Sequence, residues 1–130
     1  MCIRDRCFPD EASDYADSVL LAIENQPVIV PAIWAVEITN ALLVGERRKR
    51  IRQPEVRRFV ELMNGLSVVE DGQPFSDTVS NILPLAREYN LSAYDAAYLD
   101  VAVRRELSLA TLDSSLQKAC TTAGINIFRI

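Results

Sequence analysis

Short apolar, β-branched runs alternate with helix-length segments, and this alternation limits the possible folds more than any other feature of the chain. Val28-Ile29-Val30 reads as a buried strand, as do residues 67–70, 109–112 and 125–130. Helical patterns fill the intervals at residues 11–25, 32–50, 54–64, 77–89, 93–107 and 114–123. Pro9 before Asp10 and Glu11 suits a helix start, Pro54 suits a first helical turn, and Gly124 suits a stop. Pro84 lies inside the 77–89 segment, where a kink or break is expected. Strands separated by helices imply crossover connections and a mostly parallel sheet covered on both faces. With 130 residues and no repeat, linker or low-complexity tract, a single α/β domain over 1–130 is expected.

Composition removes whole classes of chemistry. The chain has no histidine, which excludes Ser-His-Asp and Cys-His catalysis and imidazole metal sites. Its three cysteines, Cys2, Cys7 and Cys120, form no CxxC pair, so zinc ribbons and thioredoxin-type chemistry are excluded too. An odd, sparse cysteine count suits a reducing cytoplasm, and the basic N-terminus leads into no apolar signal segment. The longest uncharged stretch, residues 25–36, has 12 residues and two prolines, too short for a membrane span of about 20 residues. Carboxylates, hydroxyls and arginines remain as catalytic equipment.

Three acids stand out. Glu37 is the single charge in residues 31–45, PAIWAVEITNALLVG, which reads as a helix buried on most of its surface. Unpartnered burial of a carboxylate is costly, so a helix-edge position reaching water or an arginine is the plainer alternative. Asn40 lies at i+3 on the same face. Asp95 stands in LSAYDAAYLD, where Ser92-x-x-Asp95 has capping-box spacing. Asp100 faces elsewhere on that helix, as a solvated residue or a partner for Arg104. Asp113 follows the 109–112 run and precedes a helix, as an N-cap or as a ligand at a strand's C-terminal end. Thr111 shares its strand face. Converging carboxylates without histidine or thiol suit Mg²⁺ or Mn²⁺, which takes oxygen ligands and assists phosphodiester hydrolysis.

The segments WAVEITNALL, LSAYDAAYLDVAVRREL and LATLDSSLQKA, in this order and spacing, resemble the PIN-domain ribonucleases, most closely the VapC-type toxins of toxin–antitoxin pairs. FPDEASDYAD fits the family's early region, and the resemblance covers about residues 7–130. It implies a three-layer α/β/α sandwich and metal-dependent RNA cleavage by a cluster of four acids, without a covalent intermediate. By position, Glu37 matches the acid of the E-x-x-N helix with Asn40 as its amide, Asp95 the acid of Y-D-A-A-Y, and Asp113 that of T-x-D. A homodimer and a cognate antitoxin that inserts into the acidic cleft are also implied.

One departure bears on activity. The family opens with a central apolar strand ending in an aspartate, which should precede CFPDE by about eight residues and so lie before Met1. Asp5 has no strand before it and is not counted as that ligand. The expectation is an N-terminally incomplete chain whose residues 1–6, MCIRDR, are non-native, with RNA cleavage impaired. The alternative is a non-catalytic PIN-like module that binds RNA or an antitoxin. A receiver-type phospho-acceptor domain also gathers acids at strand ends, but it needs a lysine after a late strand, and residues 125–130 have none following.

Charge is unevenly placed. Residues 46–58 hold seven basic residues (Arg47, Arg48, Lys49, Arg50, Arg52, Arg57, Arg58) against two acids, a balance of +5. The rest of the chain holds seven basic and sixteen acidic residues, a balance of −9. Arg47, Arg48, Lys49 and Arg50 either complement the negative end of the preceding helix, contact RNA phosphates or pair with acidic residues of a partner. Trp34, Tyr94 and Tyr98 read as core or dimer-contact residues, and Cys120 as a small buried hydrophobe.

Overall fold

The structure is a computed structural model that describes residues 27–128. The helix expected over 11–25, the N-terminal hexapeptide, Cys2 and Cys7 lie outside the described residues.

The described elements are β1 (Val28–Pro31), α1 (Ile33–Arg47), α2 (Gln53–Asn64), β2 (Val68–Asp71), α3 (Phe75–Tyr89), α4 (Ala93–Arg105) and α5 (Ser114–Ala123). β1 and β2 pair in a two-stranded parallel sheet. This is an α/β arrangement of the expected kind. The two later strand runs are reduced to one parallel bridge, Leu109 with Ile127. The Leu109 N–H donates to Asn126 O at 3.0 Å, and the Phe128 N–H donates to Leu109 O at 2.8 Å. Among the described residues the short run 109–112 has no ladder to extend beyond this one partner, and it stays irregular.

Two compact units divide the chain; within the described residues one comprises 27–28 and 33–69, the other 29–32 and 70–128. In the first, α1 buries Trp34, Ile38, Leu42 and Gly45, spaced to form one stripe. Val36 and Leu43, about 180° around the helix from that stripe by the 3.6-residue period, are 63% and 39% exposed. The expectation of a helix buried on most of its surface is therefore corrected: α1 is buried along one stripe. It also ends at Arg47 instead of residue 50. Lys49 takes a left-handed φ of 59°, its N–H donates to Glu46 O, and the Arg50 N–H donates to Gly45 O at 2.9 Å. Those two bonds make a Schellman-type stop, here with lysine where glycine is usual. In α2, Pro54 sits in the first turn and Phe59 is buried.

In the second unit α4 packs against both α3 and α5. Its centre, Ala96 through Ala102, is buried without interruption. Leu99, Leu116, Thr111 and Cys120 are the largest fully buried side chains, and burial pushes the Cys120 thiol pKa up, as for an inert core cysteine. The expected break at Pro84 does not occur: α3 runs through it. Proline removes one amide, and Pro84 is exposed, so the helix loses one bond and keeps its packed face. α4 stops at Glu106, left-handed at φ 55°, and α5 stops at Gly124 with φ 76°, the glycine stop expected there.

Candidate active site

Glu37 lies on α1 at the border of the buried stripe and is half-buried, while Asn40 is exposed. This is the helix-edge position, with the carboxylate neither sealed in the core nor fully in water.

Asp95 stands in the first turn of α4 and is half-buried. Ser92 is the N-cap, and its Oγ accepts from the Asp95 N–H at 3.1 Å, which is the expected hydroxyl half of the capping box. The positive end of the helix favours a carboxylate here.

Asp113 is the N-cap of α5. Its Oδ1 accepts from the Leu116 N–H at 2.8 Å, leaving Oδ2 without a hydrogen bond among the described residues. Thr111, fully buried, does not stand on a regular strand. Its Oγ1 accepts from the Asp113 N–H at 3.1 Å, and its carbonyl accepts from Gln117 Nε2 at 2.9 Å. The hydroxyl expected to support a ligand thus serves the turn that holds Asp113.

Carboxylate oxygens are the right donors for a hard divalent cation. Among the described residues, however, no three acidic, histidine or cysteine side chains gather closely enough to hold a metal ion. The donor chemistry fits such an ion; the described geometry does not assemble the donors.

The closest-knit charged cluster was missed in the sequence. Asp71, at the end of β2, and Asp100, in the middle of α4, are 5% and 2% exposed. Arg104 Nε donates to Asp100 Oδ2 at 2.9 Å, and both its terminal nitrogens donate to Asp71. Arg105 Nε donates to Asp71 Oδ1 at 2.7 Å. Gln73 Nε2 also donates to Asp100 Oδ2, at 3.0 Å, and Gln73 Oε1 accepts from Asn81 Nδ2 at 2.8 Å. Hydrogen bonding from Arg104 holds the Asp71 carboxyl below the usual carboxylate range against the opposing effect of burial. Asp100 is therefore Arg104's partner, one of the two roles expected for it, and is not solvated. The i,i+4 spacing of Asp100 and Arg104 signals that pair; nothing local signals Asp71.

The remaining expected residues fall as follows. Arg47, Arg48, Lys49 and Arg50 are exposed around the end of α1. Trp34 and Tyr98 are buried, whereas Tyr94 is 60% exposed and is not a core residue. No described helix is long and apolar enough to cross a membrane.

The comparison with curated proteins yields no match. The PIN domain family matches residues 7–121, most of the chain. PIN domains are commonly metal-dependent nucleases. A family match of that extent, carried on an α/β fold with Asp95 and Asp113 each at a helix start, means that this chain belongs to the PIN-domain family.

Proposed function

We propose that the chain is a toxin-type endoribonuclease of the VapC kind, acting on RNA in the cytoplasm as a homodimer controlled by a cognate antitoxin. The observation that carries this reading is the PIN family match over residues 7–121, which spans all three acidic motifs. Glu37, Asp95 and Asp113 are the residues we assign to hold Mg²⁺ or Mn²⁺, with Asn40 and Thr111 in support. When bound, such an ion supplies activation of water and stabilisation of the charge that develops on the phosphodiester. The side chains contribute oxygen donors: Asp95 and Asp113 come from helix starts, where the backbone already favours negative charge. The exposed apolar row Phe75, Val79 and Leu83 on α3 supports a partner surface for a second copy or the antitoxin.

A second reading, a non-catalytic PIN-like binding module, is favoured by one observation: no metal-holding acid group forms among the described residues.

Mn²⁺-dependent RNA cleavage separates the two. We compare the chain with a version carrying an N-terminal apolar strand ending in aspartate. Cleavage is expected in the extended form and is expected to disappear in its Glu37→Gln, Asp95→Asn and Asp113→Asn variants. Full activity in all three variants removes the site assignment; no cleavage by the extended form leaves the binding module.

A further inference from the structure

Positive charge is concentrated in residues 46–58, from the last turn of α1 into α2, which we term the α1–α2 corner. Arg47 ends α1, Arg48 and Lys49 form the turn after it, and Arg57 and Arg58 stand on α2 beside the buried Phe59. All five are exposed, and among the described residues none forms an ion pair or a side-chain hydrogen bond. Complementing the helix end accounts for Arg47 and Arg48 at most, because the helix-terminal field falls off within one turn. Arg57 and Arg58 lie in the middle of the next helix and are left without a structural role. The rest of the sequence is acidic, at −9 outside residues 46–58, so these residues are where the chain concentrates its positive charge.

We propose that the α1–α2 corner is a docking surface for the sugar-phosphate backbone of single-stranded RNA, gripping phosphates without reading bases. The proposal rests on the nuclease reading for the identity of the polyanion. The corner itself argues for phosphate contact alone: no aromatic residue lies between Glu46 and Arg58 to stack on a base, so binding there is indifferent to sequence. Its function is to raise the affinity of the chain for RNA through its phosphates.

The test is fluorescence anisotropy with a fluorescein-labelled mixed-sequence single-stranded RNA, in EDTA so that no cleavage intervenes, across a salt series. Single-strand binding loses affinity with log salt at a slope of about −0.7 per phosphate contact. Arg47→Gln/Arg48→Gln and Arg57→Gln/Arg58→Gln should each weaken binding about tenfold and flatten the slope by about 1.4. Arg87→Gln/Lys118→Gln removes the same charge from exposed positions elsewhere and should change neither quantity. Far-UV circular dichroism confirms that each variant is folded. Wild-type affinity and slope in both corner variants overturn the proposal. So does displacement of the RNA by polyglutamate at equal charge concentration, which would assign the corner to an acidic protein. RNA binding that needs the corner, with no Mn²⁺-dependent cleavage even by the strand-extended form, supports this proposal and removes the nuclease reading. Cleavage that is insensitive to both corner variants does the reverse.

Discussion

Arg104 donates from both terminal nitrogens to the carboxylate of Asp71, 33 residues earlier in the chain. Its Nε is turned the other way, to Asp100 on its own helix. One planar guanidinium therefore serves two carboxylates whose side chains are each only 3% exposed. A lysine in its place, a single point charge, could not make this fork. The pairing ties the end of β2 to the last turn of α4, the helix whose first turn carries Asp95.

Removing Asp71 should cost more than removing its outer partner. Asp71→Ala leaves Arg105 without its partner and Arg104 with Asp100 alone, and a loss of about 2–3 kcal/mol is expected, as for hydrogen bonds to charged groups. Arg105, with its side chain 41% exposed, contributes as a surface pair does, so Arg105→Ala should cost less than about 1 kcal/mol. Urea unfolding of the two variants measures both. Equal losses would place the two residues on the same footing and contradict the burial argument.

The same carboxylate sets part of the acid limit of the fold. Its pKa in the folded chain lies below the ordinary 3.8 of an aspartate, chiefly through the Arg104 bonds. A depressed folded pKa contributes stability that is fully present above the unfolded value and is lost as pH falls through the folded one. Unfolding free energy should therefore decline below about pH 4, and Asp71→Asn should decline less steeply over that interval. Denaturation midpoints taken at a series of acidic pH values provide the comparison.

Trp34 is buried, and its indole N–H has no hydrogen-bond partner among the described residues. An unsatisfied buried donor costs about 1–3 kcal/mol. Trp34→Phe removes that cost together with part of the ring, and should change stability by less than about 1 kcal/mol. Trp34→Ala, which removes the donor and opens a cavity, should cost about 3–5 kcal/mol. Thermal unfolding of both variants would show whether the orphan donor or the ring volume dominates.

Asp113 has a measurable structural duty apart from any chemistry. Asparagine caps helices as well as aspartate does, whereas alanine loses about 1 kcal/mol. Asp113→Asn should therefore keep the stability of the chain and Asp113→Ala should lower it. If Asp113 also serves in RNA cleavage, both variants lose activity. Activity tracking stability across the pair would assign the residue to the cap alone.

Local signals carried most of what could be read in advance. The α5 boundaries follow from Asp113 and Gly124, each acting within one turn, and the Ser92–Asp95 cap follows from a three-residue spacing. The late strands did not follow, because an apolar run becomes a strand only when neighbours complete its ladder, and Leu109 has Ile127 alone. α1 stops short of the expected residue 50 because Lys49 adopts a backbone conformation that its residue type does not announce. Glu37 was legible as an anomaly, the lone charge within residues 31–45; its half-buried place depends on where the stripe of Trp34, Ile38 and Leu42 turns. Asp71 was invisible for a different reason: both of its partners are more than thirty residues away.

The bridge between Leu109 and Ile127 has a topological consequence for α5. The segment that enters the helix and the segment that leaves it are joined at their base by the same two backbone hydrogen bonds. The helix is thus carried on a closed hoop of chain, not on an open tail. Cutting the chain after the helix leaves α5 attached through Asp113, whereas cutting before it leaves those two hydrogen bonds and the packing on α4 to retain it.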